Sequence, residues 1–276
     1  MEEHDQHLLQ PLLSVSSTTT AADNVKFSPT NASIISRLLS VFFIGIISIW
    51  ANHEASKGFD VIVVNDSEDS LAGKRFELLY ISNDKATRIL LNASAFVENI
   101  LYSDTNHTKK QVRRVTLRQT NKNLSQIVTV DTSKTDEFVI NLRPSIMGYA
   151  HVNSAVISAL QCGLARVWIW DGDSRAPAPL IDGLVECITI LAGISQRKDF
   201  VDGGELPEFS HLCWDDKDPS LVAHFLDYCE EHNTGFIQRL NRAMREGWDN
   251  GTVNNALGMD AKYYCDSYKN LYDSSL

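Results

Sequence analysis

An α+β fold, with strands gathered early and helices late, is what the 276-residue chain predicts. Three observations carry this expectation. Runs rich in β-branched residues cluster between residues 59 and 142, and apolar stripes at helical spacing take over from Asn153. The composition, 43% hydrophobic and 22% charged, is that of a globular protein and excludes a wholly disordered or collagen-like chain. The formal net charge of −10 argues against nucleic acid as a partner, because binding to phosphate backbones needs clustered positive charge.

The N-terminal region reads as three parts. Residues 1–37 are expected to be a disordered tail, since Ser14–Ala22 (SVSSTTTAA) shows no hydrophobic period. Asp5–Leu9 (DQHLL) resembles an acidic dileucine sorting signal, a short pattern common by chance. An uncharged apolar run follows from Leu38 to Ala51, extendable through Asn52 and His53. As a helix, its 14 residues span about 21 Å against a hydrocarbon core of about 30 Å. Residues 38–53 are therefore a candidate transmembrane signal anchor, with Arg37 snorkelling on the N-terminal, inner side and Trp50 at the interface. A span this short suits a thin membrane. A buried helix is the alternative; a cleaved signal peptide fits poorly, because 37 residues precede the run and no small-x-small site follows it.

This topology makes the chain a single-pass membrane protein with its C-terminal domain lumenal or extracellular. Five sequons beyond the anchor point the same way: Asn65, Asn92, Asn106, Asn123 and Asn250 are glycosylation candidates. The five cysteines, Cys162, Cys187, Cys213, Cys229 and Cys265, include no CxxC pair and form no zinc-ribbon pattern. In an oxidising lumen they allow one or two bridges, of open pairing, and leave at least one free thiol.

The globular part begins with a strand at Phe59–Asn65 (FDVIVVN), and Phe76–Ser82 (FELLYIS) reads as a second. Lys85–Tyr102 has apolar residues at Ile89, Leu90, Ala93, Phe96, Val97 and Ile100, a helical spacing. The basic stretch Asn106–Lys122 reads as a solvated loop and strand edge. Val115–Arg118, Gln126–Val130 and Glu137–Leu142 then follow as a strand meander. From Asn153 the stripe Val156, Ile157, Leu160, Leu164, Val167, Trp168 marks one helix. Leu180–Ile194 is a second, closed by Gly193. Pro219–His232, Gly235–Gly247 and Asp260–Tyr272 are three more.

Four segments, in order, carry a resemblance: QCGLARVWIWDG (Gln161–Gly172), APAPLIDGLVECITILAGI (Ala176–Ile194), HFLDYCEEHNTGFIQRLNRAMREG (His224–Gly247) and YYCDSYKNLY (Tyr263–Tyr272). Together they resemble the plant basic secretory protein family, a group assigned as zinc metallopeptidases with a zincin-like fold. The likeness covers residues 58–273 and is most specific in VWxWDG, the LI-acidic-G segment and FLDYC. It implies a zincin-like domain, with a mixed sheet followed by a mainly helical half. It also implies a peptidase scaffold with a substrate cleft, neighboured by Trp168, Trp170 and Asp182, and an ancestral zinc site; Trp168, Trp170 and Tyr228 read as core or as the old cleft wall.

The family's helix normally reads HExxHVWQWDG. Aligned on VWxWDG, its HExxH positions fall on Cys162, Gly163, Leu164, Ala165 and Arg166. HExxH works because residues four apart share a helical face, so two imidazoles grip one Zn²⁺ and the intervening Glu activates its water. Here Cys162 could offer a thiolate, but Gly163 has no side chain and Arg166 is a permanent cation with no lone pair to give. The family's third ligand, twenty positions after the second histidine, corresponds to Glu186. An Arg166–Glu186 ion pair, with Asp182 joining from one turn earlier, is the expected closure of the site. His211, His224 and His232 read as surface or core-edge residues, and the chain contains no HxxxH.

The resulting expectation is a degenerate metal site at Cys162, Gly163, Arg166 and Glu186, with no cofactor. The chain reads as a membrane-anchored pseudopeptidase that binds a peptide or protein ligand without cutting it. Two alternatives stand beside it: an active peptidase with a rearranged metal site (Cys162, Glu186) or cysteine chemistry, and an interaction module with a closed cleft.

Overall fold

The computed structural model describes residues 31–55, 58–103, 108–194 and 211–273. The expected tail up to residue 30, the dileucine-like stretch and Asn106 lie outside the described residues, as do the side chains of Trp50, Asn52 and His53. The chain divides into two units between Ala55 and Ser56.

The first unit contains helix α1, Asn31–Ala55. It begins seven residues before Leu38, so residues 31–37 are helical rather than part of a disordered tail. Ile34 and Ile35 continue the apolar run upstream, and nothing among Ser33, Ser36 and Arg37 breaks a helix. Its described apolar side chains are exposed, from 46% at Ile46 to 68% at Val41. Among the described residues no helix is long and apolar enough to cross a membrane.

The second unit is a mixed α+β body. Strand β1 is Asp60–Asn65, and helix α2 is Leu71–Phe76. The residues expected to form a second strand are helical instead: α2 runs directly into a π-turn at Glu77–Ile81. Two features decide against a strand. The Ser70 side chain caps α2 by accepting from the Gly73 N–H at 2.9 Å. Phe76 and Tyr80, four apart, are both fully buried and stacked at 5.7 Å, whereas Leu78 between them is exposed. A four-residue repeat is helical; a strand would bury every second residue.

Helix α3, Lys85–Tyr102, is followed by β2 (Arg114–Gln119), β3 (Val128–Lys134) and β4 (Glu137–Leu142). The sheet order is β1-β2-β4-β3; the first three strands are parallel and β3 is antiparallel to β4. Alternation assigns the two faces. Val115, Leu117, Phe138, Ile140 and Leu142 are buried towards the helices. The opposite face carries a row of ion pairs, Asp60–Arg114 at 3.4 Å and Arg114–Glu137 at 3.5 Å, with Arg113 joining Glu137 and Asp136. This row and the Arg118–Asp66 pair absorb much of the basic stretch into the sheet surface.

After a 3₁₀ turn at Pro144–Gly148 come α4 (Val152–Trp168) and α5 (Ala178–Leu191). Gly193, at φ 65°, ends α5 in the left-handed conformation, its N–H donating to the Ile190 carbonyl at 2.8 Å. A 3₁₀ turn at Cys213–Asp215 leads to α6 (Pro219–His232), α7 (Phe236–Arg245), α8 (Thr252–Leu257) and α9 (Ala261–Asp273). The short α8 has no counterpart in the sequence reading. A Cys213–Cys265 disulfide ties the turn before α6 to α9. Among the described residues, Cys162, Cys187 and Cys229 lie outside any disulfide.

Candidate functional site

Of the positions expected to form a degenerate metal site, Cys162, Gly163 and Arg166 sit on α4 and Glu186 on α5. Ser158, Cys162 and Arg166 recur every fourth residue along a half-buried stripe, while Gly163, Leu164 and Ala165 face inward. On α5, Asp182 and Glu186 form a similar half-buried stripe one turn apart. The two stripes meet: Arg166 Nη2 donates to Asp182 Oδ1 at 2.5 Å, with the side chains 29% and 35% exposed. The partner of Arg166 is thus Asp182, and among the described residues no salt bridge joins Arg166 to Glu186. Glu186 instead acts at a distance on Cys162. Burial pushes the Cys162 thiol up, Arg166 pulls it back, and the Glu186 charge raises it again.

Gly163, at the general-base position, lies against β4. A Cβ there would sit 2.9 Å from Ile140 Cγ2 and 3.2 Å from its Cδ1. The backbone of α4 approaches the sheet so closely that only glycine fits without displacing Ile140.

These residues do not fit a zinc ion. A zinc site takes three or four N, O or S donors. Position 166 holds a cation committed to Asp182, position 163 offers nothing, and the Cys162 thiol is held protonated by burial. Among the described residues no three His, Cys, Asp or Glu side chains converge as a metal would require. The downstream histidines do not change this. His224 is buried within α6, and His232 stacks on Tyr228 at 4.1 Å with its Nδ1 2.9 Å from the Tyr228 carbonyl.

The VWxWDG block has a structural explanation. Trp168 is 2% exposed, so of the two expected roles, core or old cleft wall, it takes the core one. Its Nε1 donates to Ser94 Oγ at 2.8 Å, and its carbonyl accepts from the Tyr102 hydroxyl at 2.7 Å. The next carbonyl, Ile169, accepts from Lys110 Nζ at 2.7 Å, and the Trp170 N–H donates to Asn241 Oδ1 at 3.0 Å. A helix leaves its last carbonyls unpaired, and here α3, the basic stretch and α7 satisfy the chain as it leaves α4. Lys110 lies 5.3 Å from the Phe138 ring and 5.5 Å from that of Trp170. Burial lowers it to about 8, with Asp171 opposing, and burial raises Tyr102 to about 12. Trp170 borders a cavity of about 20 Å³ with Tyr102, Asn241 and Arg245, room for one water and no ligand.

Sequence reasoning passed over Lys110, Tyr102 and Asn241. For Asn241 a signal existed: it is the one polar residue on the apolar stripe Phe236, Ile237, Leu240, Met244 of α7.

The sequons fare unequally. Asn65 is 9% exposed, its Nδ2 donating to the Gly73 carbonyl at 3.0 Å and its Oδ1 accepting from the Ser67 N–H at 3.2 Å. It is a structural residue at the end of β1, and the expectation of a glycan there is corrected. Asn92, Asn123 and Asn250 are exposed.

Compared with known proteins, residues 56–268 match the model of the BSP family, described as "Peptidase of plants and bacteria". Neither a curated protein nor a solved structure matches the chain. With the match running from before β1 into α9, and with the family's blocks building the α4 terminus and the α4–α5 pair, the chain belongs to the basic secretory protein family of peptidases.

Proposed function

We propose that this protein is a catalytically silent member of its family, a zincin-like scaffold that holds a peptide or protein without hydrolysing it. The Arg166–Asp182 bridge at 2.5 Å carries the reading: it places a paired cation where the second metal ligand of the family would stand. The close approach of Gly163 to Ile140 supports it, since a general base at that position has no room. Strand β3 supports the binding half. It is an edge strand of the sheet, and an extended peptide adds to such an edge through main-chain hydrogen bonds.

The body lies in the lumen or outside the cell, on the membrane-anchored chain proposed from residues 38–53. The Cys213–Cys265 disulfide supports an oxidising compartment. The exposed apolar side chains of α1, from Ile35 to Ile47, support the anchor. Alkaline carbonate extraction tests it: the chain stays with the membrane pellet, and its release into the supernatant rejects the anchor.

Metal analysis of the purified chain together with a casein-digestion assay tests the silent site. The expected result is far less than one zinc per chain and intact casein. Stoichiometric zinc with chelator-sensitive cleavage overturns the reading. A closed interaction module has one observation of its own, because the same bridge spans the gap between α4 and α5. Retention of uncleaved casein peptides on the immobilised chain separates the two: an open scaffold retains them and a closed module does not.

A further inference from the structure

Of the four sequons on described residues beyond the candidate anchor, only one presents both its asparagine and its hydroxyl to solvent on irregular backbone. Asn123 and Ser125 are exposed in the connection between β2 and β3, and neither side chain has a hydrogen bond among the described residues. The connection itself is held in place. The Lys122 N–H donates to Thr120 Oγ1 at 3.1 Å, Arg143 Nη1 donates to the Leu124 carbonyl at 3.3 Å, and the Arg143 N–H donates to the Ile127 carbonyl at 2.9 Å. The acceptor stands proud of a fixed loop.

The other three are closed by the fold, each differently. Asn65 is buried with both ends of its amide engaged. Asn92 lies mid-helix in α3, and its sequon hydroxyl, Ser94 Oγ, is 1% exposed between Glu98 Oε1 and Trp168 Nε1. Asn250 precedes α8, and its Thr252 is 3% exposed with Oγ1 engaged by Asp249.

We infer that Asn123 is the N-glycan acceptor among the described residues of the folded body, a reading that rests on the lumenal placement proposed above. The donor class is a polyprenyl-pyrophosphate-linked oligosaccharide. Asn123 Nδ2 bonds to the anomeric carbon of the sugar as the bond from that carbon to the pyrophosphate oxygen breaks. The pyrophosphate leaves with the electron pair, and the amide gives up one proton. The glycan then extends from the loop beside the β3 edge.

The test is expression of the full chain, and of its Asn123→Gln variant, in a eukaryotic secretory host. Treatment with peptide:N-glycosidase F and peptide mass spectrometry then locate each asparagine converted to aspartate. The expected result is conversion at position 123, with the corresponding glycosidase-sensitive mobility step lost in Asn123→Gln. Conversion at Asn65, Asn92 or Asn250 with Asn123 bare overturns the assignment. A bare Asn123 in a body protected from protease inside sealed microsomes overturns the acceptor alone. A bare Asn123 in a protease-accessible body overturns the lumenal placement with it.

Discussion

Gly163 and Arg166 are three residues apart on α4 and depart from the family's HExxH pattern in different ways. At Gly163 the obstacle is space, since a Cβ meets Ile140 Cγ2 at 2.9 Å. Restoring an acidic residue there does not restore a general base; it drives a carboxylate into the apolar layer between α4 and β4. Gly163→Ala should cost about 1–3 kcal/mol of stability through overpacking, and Gly163→Glu clearly more, because a buried unpaired charge is added. Urea unfolding of the two variants checks this, and a Gly163→Glu chain as stable as the parent sinks the packing explanation. The Arg166–Asp182 pair is about a third exposed, so its removal should change stability by under about 1 kcal/mol. That an arginine stands at the position of the family's second histidine was legible from the alignment of the VWxWDG block. The choice of partner was not. Asp182 and Glu186 differ by one helical turn, and only the placement of α5 against α4 selects Asp182.

Among the elements, those with a long repeat were the most legible. Lys85–Tyr102 and Pro219–His232 appear with the expected bounds, because an apolar stripe with a clear start and stop leaves one solution. The segment at residues 76–82 misled because a short apolar run fits a strand or a helix equally; the Ser70 cap and the Phe76–Tyr80 stack settle it only in three dimensions. The end of α4 was illegible for a related reason: its carbonyls are paired by residues from α3 and the basic stretch, and the Trp170 N–H by α7, all far apart in sequence. That junction makes a prediction about pH. Lys110 is lowered from 10.5 to about 8, so between pH 8 and 10 the unfolded chain holds a proton that the folded chain has released. The unfolded state binds more protons there, and stability rises with pH. Tyr102 is raised from 10.0 to about 12, so above pH 10 the folded chain keeps a proton that the unfolded chain loses, and stability falls. The melting temperature, followed from pH 7 to 11 as a difference from each variant, should show the rise vanish in Lys110→Met and the fall vanish in Tyr102→Phe. A wild-type minus Lys110→Met difference that is flat between pH 8 and 10 rules the lysine out as the source.

For the whole molecule, strands first and helices after was enough to give the α+β class. It was not enough to give the sheet order, because the β2-β4-β3 arrangement depends on which strand reaches across to which. The cysteines show the same limit. Five widely spaced residues leave the pairing open, and folding brings Cys213 and Cys265 together across 52 positions. That bridge encloses α6, α7 and α8, so it restrains most of the C-terminal helical half. A closed loop of this length lowers the entropy of the unfolded chain enough to stabilise the fold by about 4 kcal/mol in the chain-entropy account. Replacing both cysteines by serine should therefore lower the urea midpoint substantially. The same drop should follow reduction of the native chain, and reduction should leave the double variant unchanged. Cys162, Cys187 and Cys229 lie outside that bridge, so a reductant-sensitive midpoint in the double variant would place a second bridge among them and reassign the framework.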